Sequence, residues 1–413
     1  MARGHCRQRG KNRWQLEVDL GSYTDPVTGK RKRYKKYKTI TAKGPREAEL
    51  ELARFVAEVT SENYFEPEKM MFIDFVENEW WPKWVEKNLA HTTQDVYRVH
   101  LESRIKPAFQ YLRMDQIKPI HIINFLDNLS ESGMRLDKVK DENGNLVQRE
   151  GKLSQATIEY NHRILKSIFK FATKLKILKE NPMDGVDKPK VENKKVDVYS
   201  LEETAHLLQC LEQEPLHWRV IIKLAITAGL RRSELLALEF KHFDLDNRIL
   251  HVEQALTYSK EEGYKIHPIK KGNGRANQRD IVISELLIPD IKKLELQRAK
   301  ERLANADRLW SEGKYNFLLA DETGKPYNPY SIRNWWKRFI KRHNLRYITI
   351  HGLRHTSATL LINEGVHAKI ISERLGHADI DTTMNIYGHA LRQANEMATD
   401  KLDAALKRVK EVN

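Results

Sequence analysis

Residues 180–195 read ENPMDGVDKPKVENKK, a run in which proline, glycine, lysine and acidic side chains displace nearly every large apolar one. Such a run can neither complete a strand ladder nor cover a helix face, because proline lacks a backbone donor and little remains to bury. It therefore acts as a linker, from about Asn181 to Val196, and forbids a single continuous core. Whatever folds on either side must bury its own apolar surface. With 413 residues and 40% hydrophobic side chains, the chain has material for two or three such cores.

The segment ahead of the linker carries helical periodicity. Residues 73–88, 92–105, 121–129 and 154–175 each repeat apolar side chains at helical spacing, and in the last of these Ile158, Ile164, Leu165, Ile168, Phe169 and Ala172 form one stripe. A polar insert at 133–153 with Asn143-Gly144 at its centre reads as a hairpin. Trp80 and Trp81 are expected in packing rather than in base stacking.

The amino-terminal residues 1–46 read differently, with fourteen Lys/Arg against three acidic residues, so most of the chain's net charge of +15 sits there. Trp14 to Val18 alternates like a strand, residues 23–29 (YTDPVTG) read as a turn, and residues 30–40 alternate basic with aromatic or β-branched side chains. Pro45 then opens a helix with Leu52, Phe55, Val56 and Val59 on one face. A small sheet backed by one helix, basic on its open side, is the expectation. That charge distribution favours a polyanionic partner, nucleic acid above all.

Two cysteines, Cys6 and Cys210, exclude a disulfide framework and a four-cysteine zinc site. No amino-terminal secretory signal and no run near the ~20 apolar residues of a membrane span is present, so a soluble intracellular protein without membrane partners is expected.

After the linker, Ser200 with Glu203 three residues on reads as a capping box. Helices follow, then strand-like pieces at 248–253, 264–269 and 279–283, then helices again, with Asn334-Trp335-Trp336 expected in the core. The densest chemistry lies in HGLRHTSATLLINEGVHAKIISERLGHADIDTTMNIYGHA, residues 351–390, which holds five of the sixteen histidines. His351 and His355 share a helix face, but Gly352 stands where a zinc-protease motif needs glutamate and no cysteine is near, which argues against zinc. His355 and His367 read as core histidines. Gly376 reads as a left-handed helix cap, placing His377 just past a helix end.

This stretch resembles the carboxy-terminal signature of the tyrosine recombinases, in particular phage and conjugative-element integrases: His351-x-x-Arg354, then Leu375-Gly376-His377, then Tyr387. The upstream TAGLRRSELLAL is similar to a second family box, placing Arg231 as the first family arginine and Glu234 at its acidic position, with Ala228 a minor departure. The resemblance implies a mainly α fold with small β-sheets: an α-helical core-binding domain (65–188) and a mixed α/β catalytic domain with a carboxy-terminal helix (189–413), preceded by a small sheet-plus-helix domain (1–64) that binds arm-type DNA. It also implies the roles. Attack on a phosphodiester piles negative charge on the non-bridging oxygens, which Arg231 and Arg354 can clamp with planar donors. His351 and His377 donate or move protons, and Tyr387 is the nucleophile. The strand break is stored as a 3′-phosphotyrosine bond, so neither a nucleotide nor a metal cofactor is implied.

The family places a general-acid lysine on a β-hairpin. The matching YKIHPIKKGNGRANQRDIVIS offers Lys271, with Lys270 as the alternative, between two strand-like pieces. Arg31, Arg33 and Lys35 of the basic sheet, and Arg232 beside Arg231, are the DNA-contact candidates. The implied partners are double-stranded attachment sites, core and arm, on which four copies of the chain would exchange strands through a Holliday junction, with a DNA-bending accessory protein and a directionality factor alongside. The implied setting is the cytoplasm of a bacterial host, at the nucleoid. The tail EMATDKLDAALKRV, with Met397, Leu402, Ala405, Leu406 and Val409 on one stripe, reads as a helix that docks either on its own subunit or on a neighbour. Two other readings fit part of the pattern: a DNA-binding regulator without chemistry, for which the ordered motifs would be coincidence, and a type IB topoisomerase, against which the arm-like domain argues.

Overall fold

The computed structural model describes residues 3–24, 30–60, 69–140, 145–192, 196–269 and 278–377, together with residues 380, 384 and 399. Tyr387, Lys270, Lys271, the Asn143-Gly144 turn and the carboxy-terminal stripe lie outside them. The described contacts divide the chain into two compact units, residues 1–89 with 97–191, and residues 90–96 with 192–413.

The first unit holds separate hydrophobic cores. Strands β1 (Arg3–Gly10), β2 (Arg13–Thr24) and β3 (Arg31–Thr41) form an antiparallel sheet in that order, and α1 (Pro45–Thr60) covers one face. Alternation along β2 explains the two faces: Leu16 and Val18 are fully buried with Phe55 and Val59 of α1. Glu17 and Asp19 point the other way, opposite Tyr37 and Lys35 of β3. β1 is a strand that the sequence reading took only as a basic terminus; its residues give no clean alternation of apolar and polar. Gly4 explains how it fits, since a Cβ there would meet Val56 at 2.9 Å.

The second core is helical. It is built from α2 (Phe72–Phe75), a π-wound stretch Val76–Val85, α3 (Glu86–Asn88), the end of α4 (His91–His100) from Tyr97 on, a second π-wound turn Leu101–Ile105, and α5 (Lys106–Phe109). Pro82 lies inside the first π stretch, where its missing N–H breaks the regular ladder. α6 (Pro119–Leu129) follows, then a short hairpin of β4 (Lys138–Lys140) and β5 (Leu146–Gln148), then α7 (Gln155–Lys174) capped by Ser154. Trp80, Phe72, Phe109, Ile164 and Phe169 fill its centre.

In the second unit, α8 (Leu201–Leu211) starts at the expected Ser200–Glu203 capping box. α9 (Leu216–Thr227) and α10 (Arg232–Leu236) follow, then β6 (Phe243–Asp244) and β7 (Ile249–Val252). Next come β8 (Gln254–Ser259), β9 (Gly263–Pro268), β10 (Arg279–Val282), and helices α11 (Ile288–Ala304), α12 (Pro329–Arg342), α13 (Ile350–Asn363) and α14 (Ala368–Leu375). Trp335 stacks on Trp218 at 4.5 Å, and Trp336 is buried with its indole N–H donating to the Ile348 carbonyl at 2.7 Å. Among the described residues no helix is long and apolar enough to cross a membrane.

One expectation is corrected here. The pieces at 264–269 and 279–283 do not pair with each other: β9 pairs with β8, while β10 pairs with β7 in a sheet of order β10-β7-β6. Gly263, at φ +69°, completes the β8–β9 turn that the sequence reading passed over. Because β9 ends at Pro268, strand alternation does not choose between Lys270 and Lys271.

Candidate active site

The second unit brings three chain segments together. The first is the α9–α10 corner. α9 ends at Thr227 with Ala228 as its cap, and Gly229 turns the chain at φ +61°, where an added Cβ would lie 2.4 Å from Leu375 Cδ2. Glycine is thus required twice over, by conformation and by space. Two residues on, Arg231 caps α10 and its backbone N–H donates to Glu234 Oε2 at 2.8 Å.

The second segment is the start of α13, capped by Thr349, whose hydroxyl accepts from the Gly352 N–H at 3.0 Å. Helical spacing puts His351, Arg354 and His355 within one turn, and the two imidazoles meet edge to face at 4.8 Å. Arg354 is 3% exposed. Its Nη1 donates to the Gly229 carbonyl at 2.6 Å, while its buried Nη2 has no hydrogen-bond partner among the described residues. A buried guanidinium nitrogen of this kind can donate to an anionic acceptor.

The third is the end of α14. Gly376 adopts the left-handed cap (φ +67°, ψ +46°), and the His377 N–H returns to the Ser372 carbonyl at 3.0 Å. This tight turn presents the Leu375 and Gly376 carbonyls to Arg231, which donates to them from Nη1 at 3.4 Å and Nη2 at 2.8 Å.

Glu234, 1% exposed, is the counter-charge. Arg231 Nη1 reaches its Oε1 at 2.9 Å, and Arg279 of β10 grips both oxygens, Nη2 to Oε2 at 2.8 Å and Nη1 to Oε1 at 3.2 Å. Burial alone would raise this carboxyl; the hydrogen bonds and charges of Arg279 and Arg231 overcome it and hold Glu234 at about 2. Burial, with Arg231 adding to it, pushes Arg354 down to about 9, still protonated at neutral pH. Burial also pushes His377 down to about 4, helped by the positive field of Arg354 and Arg231, and His355 falls to about 4 through burial and His351. His351 is lowered in the same direction by burial, Arg354 and Arg231. The imidazoles are therefore neutral at pH 7 in the free protein.

Arg231, Arg354, His351 and His377 thus converge on one cationic centre. Arg232 sits at its edge, exposed, and contributes to the field on His351. Arg31, Arg33 and Lys35 belong to the first unit, on β3: Arg33 Nη1 pairs with Asp19 at 2.8 Å, Lys35 Nζ with Glu17 at 2.5 Å, and Arg31 Nε donates to the Ser22 hydroxyl at 2.8 Å. Sequence reasoning missed Arg279 and Arg374. Arg374 Nη2 donates to the Thr227 carbonyl at 2.7 Å, tying α14 to α9. No local signal marks either one, since a lone arginine in a strand or helix is ordinarily solvated.

Comparison with known proteins places this geometry. The model of the phage integrase family matches residues 198–394, and that of the phage integrase amino-terminal SAM-like domain matches residues 72–130. The ICEBs1 integrase of Bacillus subtilis (strain 168) is 26% identical over 394 residues, covering 95% of this chain and 98% of that protein. Among solved structures, the Tn1549 transposon integrase in complex with transposon right end DNA shares the fold at a TM-score of 0.62 and 22% identity, over 81% of this chain and 100% of that one. A lambda integrase tetramer bound to a Holliday junction does so at 0.52 and 16%, over 92% and 94%. The chain belongs to the phage integrase family of tyrosine recombinases, site-specific enzymes that break and rejoin DNA strands.

Proposed function

We propose that this recombinase is the integrase of a phage or other mobile element, and that it works through a 3′-phosphotyrosine intermediate at Tyr387. The observation that carries the reading is the buried Arg354 Nη2, without a hydrogen-bond partner among the described residues, beside Arg231 and the Glu234 network. A scissile phosphate placed there would accept from that nitrogen. In the reaction, the Tyr387 oxygen forms a bond to phosphorus as the bond to the 5′ oxygen breaks. Arg231 and Arg354 hold the non-bridging oxygens. The phenolic proton passes to a neutral imidazole, His351 or His377, and Lys271 or Lys270 protonates the departing 5′ oxygen. Reversal by a new 5′ hydroxyl rejoins the strand.

In this reading residues 1–64 bind arm-type sites, with Arg31, Arg33 and Lys35 contacting phosphate or base edges. Residues 65–188 and 189–413 hold the core site, with Arg232 as a backbone contact. Four copies exchange strands through a Holliday junction; the fold shared with the lambda tetramer on such a junction supports this assembly. A DNA-bending protein and a directionality factor would act with it in the bacterial cytoplasm. The test is a nicked attachment-site duplex incubated with the full chain and resolved under denaturing conditions. Wild type forms a covalent protein–DNA adduct and Tyr387→Phe forms none. An adduct with Tyr387→Phe would remove the nucleophile assignment, and no adduct with wild type would remove the reading.

A further inference from the structure

Arg279 lies in the stretch matched to the lysine hairpin but has no role in that resemblance, yet it is among the most enclosed charges of the centre, its side chain 7% exposed. It opens β10, and among the described residues Nη1 and Nη2 hold Glu234, while Nε donates to the Arg374 carbonyl at 2.8 Å. Each target leads to a reacting group. Glu234 holds Arg231, and Arg374 lies in the last turn of α14, two residues before Gly376 and three before His377. Arg231 in turn donates to the Gly376 carbonyl at 2.8 Å, so a ring of hydrogen bonds closes through Arg279, Glu234, Arg231 and the α14 cap. The fit has no slack: a Cβ on Gly376 would stand 2.7 Å from Arg279 Nη1 and 2.9 Å from its Cζ.

We propose that Arg279 is a positioning residue for the phosphate clamp, locking Arg231 and the turn that carries His377 into one unit. The proposal rests on the reading of Arg231 and His377 as reaction-centre groups. Its physical basis is competition for one carboxylate. A buried glutamate facing a single arginine takes its guanidinium in a two-pronged grip. Here Arg279 occupies both oxygens of Glu234, so Arg231 engages one oxygen through Nη1 and spans to Gly376 through Nη2. Without Arg279, Glu234 draws the Arg231 fork onto itself and away from the phosphate, and the α14 cap loses its tie to β10. Lysine would keep the charge but has no planar fork to reach two carboxylate oxygens and a carbonyl at once.

The experiment is single-turnover adduct formation, at saturating full-length protein, on a duplex of the element's own end joined to flanking DNA and nicked beside the scissile phosphate. Wild type is compared with Arg279→Gln, Arg279→Lys, Arg231→Lys and the double variant Arg279→Gln/Arg231→Lys, with DNA binding measured for each. A displaced clamp slows cleavage by about tenfold to a hundredfold in Arg279→Gln, as misplacement by ~1 Å does. Arg279→Lys recovers part of the rate, and binding of the duplex changes much less than the rate. Because Arg279 acts through Arg231, the double variant is little slower than the slower single variant. Multiplying losses would overturn the proposal, as would a rate loss fully matched by lost binding. Should Arg279→Gln fail to fold, Arg279→Lys keeps the buried charge, and a wild-type rate in that variant would overturn the proposal as well. The parent reading fails separately, in the wild-type reaction alone, if no adduct forms there.

Discussion

Replacing Glu234 by glutamine tests the electrostatics of the centre directly. The side chain keeps its size but loses the charge that faces Arg231 and Arg279 at 1% exposure. Two routes give the cost. The carboxyl is held at about 2 against an ordinary 4.5, and about 2.5 units correspond to roughly 3 kcal/mol. Removing one partner of a buried ion pair costs about 3–5 kcal/mol. Both give about 3 kcal/mol or slightly more, which for a unit of this size lowers the melting temperature by roughly 6–12 °C.

The assay is calorimetric unfolding of full-length wild type and Glu234→Gln across pH. Because the folded pKa lies below the unfolded one, the carboxylate's contribution is complete above about 4.5 and is lost as pH falls towards 2. The gap between the two proteins is therefore constant from neutral pH down to about 5 and narrows below 4.5. Duplex DNA supplies a second negative charge to the same guanidiniums, so attachment-site DNA also narrows the gap at neutral pH. Equal stability of the two proteins at neutral pH would refute the reasoning, and so would a gap unaffected by acid.

Three further outcomes follow from the same geometry. Gly229→Ala combines a left-handed backbone, about 1–2 kcal/mol for a residue with a Cβ, with overpacking against Leu375 at 2.4 Å, about 1–3 kcal/mol; denaturant unfolding should show their sum, and the cleavage rate should fall because the Gly229 carbonyl holds Arg354. His377 is neutral in the free protein with a pKa of about 4, and a phosphate beside it raises that value, so core-site affinity should increase as pH falls from 7.5 to 5.5 and the slope should flatten in His377→Gln. An unchanged slope in that variant would place the titration elsewhere. Deleting residues 1–64 should leave adduct formation on a nicked core duplex near the wild-type rate while abolishing recombination that requires arm sites; equal recombination by the shortened chain would remove the arm-binding role.

The fold was legible in the sequence wherever one face of an element is buried. The stripe on α7 and the alternation on β2 each have a partner surface, so burial imposed the period that the eye can find. β1 and β8 were passed over for the converse reason. β8 has a mixed burial pattern, with Leu256 and Ser259 buried among partly exposed residues, so its side chains alternate without a matching alternation of polarity. The error over β9 and β10 came from treating a glycine-rich stretch as a hairpin turn when the nearer turn at Gly263 closes a different pair. The centre divides along the same line. Arg231, Arg354, His351 and His377 are candidates that the sequence offers because each stands in a compact motif with fixed spacing, set by a helix start or a helix cap. Arg279 and Arg374 act through contacts with Glu234 and Thr227, 45 and 147 residues away, which one-dimensional spacing cannot express.

That division has a physical reason in the charge balance of the centre. Arg231, Arg279 and Arg354 lie in one another's field with Glu234 among them, and Arg354 Nη2 has no hydrogen-bond partner among the described residues. Like-charged guanidiniums in a buried space repel, so the free protein holds an arrangement that its own electrostatics oppose. What keeps it in place is the Glu234 carboxylate together with geometry: Gly229 and Gly376 turning where no side chain fits, and carbonyls of Gly229, Arg374 and Gly376 accepting the donors. In the proposed reaction a scissile phosphate would relieve the repulsion on binding, and the transition state, carrying more negative charge, would relieve it further. The proposed reaction would thus draw on an arrangement assembled during folding, with little reorganisation as the charge develops. On this account the backbone carbonyls are as much part of the clamp as the guanidiniums, and substitutions that move those carbonyls should slow cleavage without touching a charged residue.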